Sequence, residues 1–158
     1  MRLITPTILD HWHCRFDDLQ HSTKEFYQTI EDALKTHAFP MVYSERIRKS
    51  EGGTFSPNRQ YLQITRGQYD FIICAAPFGK GYFVSWWLKQ RPGIEVILKL
   101  VPFIGGWLYR CELIQTYYQV DTEIMFKESI KSLVDTAVAQ LGQDKGFREL
   151  AVNNTIAI

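Results

Sequence analysis

The stretch from Gln68 to Ala76 is apolar on both faces, and this constrains the fold more than any other feature of the chain. Side chains alternate sides along a β-strand. Tyr69, Phe71, Ile73 and Ala75 therefore fall on one side, and Ile72, Cys74 and Ala76 on the other. Only Asp70 interrupts the run. A strand of this kind is covered on both faces, which places it in the middle of a sheet.

Its neighbours follow from the turn residues around it. Tyr61 to Thr65 is a preceding strand, with Leu62 and Ile64 on one face. Arg66-Gly67 is the turn between them, because glycine supplies the positive φ of a tight hairpin. Pro77-Phe78-Gly79-Lys80-Gly81 breaks the apolar run and turns the chain again. Tyr82 to Lys89 is the third strand. Tyr82, Val84, Trp86 and Leu88 share one of its faces, and Phe83, Ser85 and Trp87 share the other. Arg59 to Leu88 thus reads as two hairpins sharing a central strand.

The rest of the chain supplies covering elements. Ser22-Thr23-Lys24-Glu25 is a capping-box pattern that starts a helix running to about Thr36. Phe26, Ile30, Ala33, Leu34 and His37 lie on one side of it, Glu31, Asp32 and Lys35 on the solvated side, and Pro40 stops it. Met41 to Ser50 reads as a strand, as does Leu3 to Arg15, where Pro6 marks an edge or a loop. Ile94 to Tyr109 alternates like a strand until Pro102. Leu113 to Val120 reads as the last strand, with Asp121 as the N-cap of a helix over Thr122 to Leu141. Phe126, Ile130, Leu133, Val134, Ala137, Val138 and Leu141 form that helix's apolar stripe, and Gly142 its left-handed C-cap. The apolar tail from Glu149 to Ile158 calls for pairing with its own sheet or with another subunit. The expected fold is a single α+β domain over residues 1–158. It has an antiparallel sheet of about five or six strands, with an N-terminal helix and a long C-terminal helix packed on it.

Composition narrows the function more by exclusion than by assignment. A net charge of +1 over 158 residues makes nucleic acid an unlikely partner. Cys14, Cys74 and Cys111 are odd in number and far apart, which fits reduced thiols. The first residues lack the apolar core of a secretion signal. The expected location is cytoplasmic, or peripheral to a membrane.

Catalytic patterns are missing. There is no Gly-x-Ser-x-Gly elbow, no His-Glu-x-x-His helix and no dinucleotide or phosphate loop. Asp10, His11, His13, Cys14, Asp17 and His21 form a loose cluster. On a strand, however, Cys14 faces away from His11 and His13, and no second pair follows at ligand spacing, so neither a metal nor a cofactor is expected. Asp70, set in an apolar strand, is read as either a structural hydrogen-bonded carboxylate or a candidate acid or base. Arg46, Arg48, Lys49, Arg59 and Arg66 form a basic excess beside Tyr61 and Tyr69, read as a solvated sheet face.

What stands out is ring surface. Aromatic residues make up 14% of the chain and gather around turns. The expectation is a non-enzymatic module that binds a protein partner or a second copy of itself. Phe78, Trp86, Trp87, Phe103, Trp107 and Tyr109 are its candidate surface. Two alternatives stand beside it: peripheral membrane binding through residues 96–109, and a ligand pocket or active site between the sheet and the C-terminal helix.

Overall fold

The computed structural model describes residues 6–50, 58–91 and 117–144. They form β1 (Thr7–Phe16), α1 (Thr23–His37), β2 (Tyr43–Ser50), β3 (Asn58–Arg66), β4 (Tyr69–Phe78), β5 (Gly81–Gln90) and α2 (Tyr117–Asp144). The five strands make one sheet in the order β1-β5-β4-β3-β2, and every neighbouring pair is antiparallel. This is an α+β fold with the doubly apolar strand β4 at its centre, as the sequence requires. The strand read from Ile94, the segment 96–109 and the tail from Glu149 lie outside the described residues.

Both hairpin turns around β4 are two residues long. Arg66 pairs with Tyr69, and Phe78 pairs with Gly81. Gly67 has φ 58° and Gly79 φ 63°, while neither Gln68 nor Lys80 has a positive φ. A positive φ at the first turn residue alone is the type II′ geometry, which matches the twist of the flanking strands. β4 therefore continues through Pro77 and Phe78, and the turn is shorter than the five-residue break suggests.

Both helices pack on one face of the sheet. Phe26, Tyr27, Ile30 and Leu34 of α1, and Phe126, Ile130, Val134, Ala137, Val138 and Leu141 of α2, join one core. The strand residues in that core include Cys14, Phe16, Leu62, Ile64, Phe71, Ile73, Val84, Trp86 and Leu88. The register puts all of these on the same face. Trp86 is 2% exposed, with its ring 4.8 Å from that of Phe71. It belongs to the core and offers no contact surface.

Five local expectations are corrected. Tyr117 to Val120 is helical rather than a strand, and Asp121 lies inside α2 rather than capping it. Four alternating residues fit either period, and no proline or glycine separates them from the helix that follows. α2 also runs through Gly142 to Asp144, with Gly142 in helical rather than left-handed conformation. α1 is closed before Pro40, by Ala38 in the left-handed region (φ 46°), whose N–H donates to the Leu34 carbonyl. Glu31 is not a free surface carboxylate. It holds the Arg46 guanidinium through two bonds, at 2.9 and 2.7 Å, and so ties α1 to β2. Ser22 is the N-cap of α1: its Oγ accepts from the Glu25 N–H.

Tyr27 sets how β3 and β4 meet. The ladder between them ends at the Tyr61–Cys74 pair. Beyond it β3 continues beside β2, and β4 continues beside β5. The Tyr27 hydroxyl, fully buried, stands in for the missing rung. It accepts from the Ala75 N–H at 3.0 Å and donates to the Gln60 carbonyl at 2.8 Å. Thr23 Oγ1 donates to the Ala75 carbonyl at 3.0 Å. Both backbone groups of Ala75 are thus satisfied by α1 side chains rather than by a strand.

Tyr27→Phe leaves the Ala75 N–H and the Gln60 carbonyl without that partner. It is expected to cost about 1–3 kcal/mol, read as a lower urea midpoint with unchanged slope. A loss within error of zero contradicts the bridging role.

Burial pushes the Tyr27 hydroxyl far up and that of Tyr82 to about 12, from an ordinary 10.0. The folded chain keeps these protons at a pH where the unfolded chain has released them. Their contribution is whole below the unfolded value and is lost as pH rises through the folded one. The urea midpoint is therefore expected to fall as pH rises from about 10 to about 12, and to fall less in Tyr82→Phe.

Candidate functional site

With both helices on one face, the other face of the sheet carries the side chains of opposite parity. From β1 across to β2, the register sets His11, His13 and Arg15 beside Trp87, Ser85 and Phe83. Ile72, Cys74 and Ala76 come next, followed by Gln63, Tyr61 and Arg59, and then by Glu45, Ile47 and Lys49. Neither α1 nor α2 packs on this face.

Its rings are organised in pairs. His11 stacks on its cross-strand partner Trp87, with centroids 4.7 Å apart and planes 16° from parallel. His13 stacks on Phe83 at 5.8 Å, and the two histidine rings lie 6.4 Å apart. Cross-strand aromatic contacts of this kind hold rings flat and pre-ordered. Trp87 and Phe83 remain partly exposed, whereas Ile72, Cys74 and Ser85 at the centre are buried.

The titratable groups here make separate contacts. Asp70, 6% exposed, accepts from the Thr65 hydroxyl at 2.8 Å and pairs with Arg91 Nε at 3.2 Å. It fastens the end of β5 to the β3–β4 turn, since Arg91 also donates to the Gly67 carbonyl. Burial pushes the Cys74 thiol up, with Arg59 only partly opposing this. Cys14 is buried on the opposite face. His21 meets Tyr82 edge-on, away from His11 and His13. Among the described residues, no three His, Cys, Asp or Glu side chains gather as metal ligands.

Strand alternation also divides the basic stretch. Arg46, Arg48 and Arg66 belong to the helix-covered side, and Arg46 is neutralised by Glu31. Lys49 and Arg59 belong to the open face, as does Lys89. The Lys89 ammonium is lowered by burial first and by Lys49 second, with Asp70 opposing both. Tyr61 and Tyr69 likewise fall on opposite faces.

Two clefts of about 220 Å³ open at opposite ends of the sheet. One lies where β3 and β4 part, between Arg59 and Ala76-Pro77-Phe78, and is closed off by Arg15 and Phe83. Phe78 is 71% exposed at its rim. Arg15 pairs with Asp17 at 2.8 Å, both well exposed, and Arg59 has no ion-pair partner among the described residues. The other cleft lies between Met41, the Gly67 turn and Tyr118. Near it the first turns of α2 expose Tyr117, Tyr118, Ile124 and Met125.

The chain matches no protein-family model, no curated protein and no solved structure. The surface is therefore judged on its own geometry. Of the sequence-derived candidates, Phe78 and Trp87 are at the surface, Trp86 is core, and Phe103, Trp107 and Tyr109 lie outside the described residues. The space under α2 is filled by Phe71, Trp86, Phe126, Ile130, Val134 and Val138, each 3% exposed or less. The residues of the expected membrane segment, 96–109, are not described, and no described helix is long and apolar enough to cross a membrane. Sequence reading placed Phe83 with Trp87 but missed Arg15, His11 and His13 as their neighbours. That juxtaposition depends on β1 pairing with β5, which no local pattern signals.

Gly81 keeps the cleft in shape. A Cβ there would lie 2.9 Å from the Phe16 carbonyl oxygen and 3.2 Å from Arg15 Nε. Gly81→Ala is expected to lower stability by about 1–3 kcal/mol and to shift the Arg15 Nε–H resonance. An unchanged Arg15 signal would mean that the guanidinium does not lie across the hairpin.

Proposed function

We propose that this chain is a non-enzymatic interaction module that binds a protein partner through the open face of its sheet. The observation carrying this reading is the parity split. One face is filled by two helices, while the other carries the Trp87–His11 and Phe83–His13 stacks, whose rings stay partly exposed. Flat rings held by cross-strand neighbours supply large apolar contact area with little entropy left to lose on association. Cationic groups at the margins, Arg15, Lys49 and Arg59, give a polar rim beside the partly exposed rings of Trp87 and Phe83. The filled space between the sheet and α2 supports binding rather than chemistry.

A photo-crosslinking residue at Phe83 or Trp87 is expected to capture protein in cells, whether a second copy or a different chain. The same residue at the exposed helix positions Lys24 or Thr36 is expected not to. Equal capture at all four sites, or none at Phe83 and Trp87, counts against the reading.

A further inference from the structure

We infer that the cleft at the β4–β5 turn receives a carboxylate flanked by an apolar side chain, presented by the protein partner. This rests on the reading above and specifies the chemistry of the partner.

The cleft joins two unlike surfaces. Phe78, Phe83, Ala76 and Pro77 make apolar walls, and Arg15 and Arg59 bring guanidinium groups from two different strands. Arg59 has Lys49 rather than an acid as its cross-strand neighbour. Two like charges facing each other in this way are unfavourable until an anion arrives. Among the described residues Arg15 pairs with Asp17, and the two side chains are 65% and 60% exposed. A pair so screened by solvent yields to a better-shielded partner at little cost. A guanidinium beside apolar walls binds a planar carboxylate through two parallel hydrogen bonds, sheltered from water.

Size and charge select among anions. At about 220 Å³ the cleft is smaller than the roughly 300–1,000 Å³ of sites that enclose a whole small molecule. It suits one anchoring side chain with its acid. A nucleic-acid strand needs a row of cations along its backbone. The net charge here is +1, and the face also carries Glu45. A hydrated phosphate gains nothing from the phenylalanine walls. The β3–β4 gap that forms the cleft is held by Tyr27, whose hydroxyl bonds to both strands.

The test is amide NMR of the full chain titrated separately with N-acetylphenylalanine, acetyl-aspartyl-phenylalanine amide, N-acetylphenylalanine amide and inorganic phosphate. At least one of the two carboxylates is expected to shift the amides of Ala76, Gly81 and Phe83 saturably. Which of them does so places the acid at a chain end or on a side chain. The neutral amide and phosphate are expected to leave these amides in place. Arg59→Gln is expected to weaken carboxylate binding about tenfold, while Arg48→Gln, on the opposite face, leaves it unchanged. Equal shifts with phosphate, binding indifferent to Arg59→Gln, or no shifts with either carboxylate overturns the inference. Crosslinking from Trp87 that persists in those cases leaves the open-face reading intact and removes only the cleft.

Discussion

Two hydrogen bonds to one residue hold this architecture together. Ala75 sits in the central strand, yet its N–H goes to Tyr27 and its carbonyl accepts from Thr23, both on α1. A buried strand cannot lose its ladder partner without another donor and acceptor taking over. By supplying both, α1 lets β3 leave β4 after Tyr61 while the backbone stays satisfied. The same hydroxyl reaches Gln60 on the departing strand. Helix docking, the divergence of the strands and the cleft beside Arg59 are therefore consequences of one arrangement.

The sheet then sorts side chains by parity. Residues of one parity meet the helices and are lost to solvent. Those of the other parity keep their rings half-exposed, braced against one another across β1 and β5. This resolves the excess of aromatic residues in a chain of 158. Trp86 and Trp87 are adjacent in sequence and have opposite fates: the first is 2% exposed in the core, and the second is stacked under His11 on the open side.

Much of this was legible in the sequence, because it depends on local period. The doubly apolar β4, the glycine turns, the Ser22 cap and the α2 stripe all announce themselves within a dozen residues or so. What escaped reading depends on contacts between distant segments. Nothing near Arg15 indicates that it will lie beside Phe83, since β1 pairs with β5 across the length of the domain. Tyr27 is absent from the helical stripe read by hydrophobicity, because its burial serves a hydroxyl rather than a ring. The basic run from Arg46 to Arg66 looked like one patch because sequence proximity hides the alternation that splits it. The start of α2 misled for a different reason: alternation over four residues does not distinguish a strand from a helix.

The two outer strands bear on how such a sheet can grow. β1 carries a bulge between Ile8 and Asp10, and the Asp10 carboxylate accepts the N–H of His11 at 2.8 Å while Lys127 holds it from α2 at 2.8 Å. β2, at the far side, alternates through Glu45, Arg46, Arg48 and Lys49. Irregularity and charge on outermost strands discourage a further strand from adding. Extension of the sheet into fibres or continuous ribbons is thus resisted at both sides.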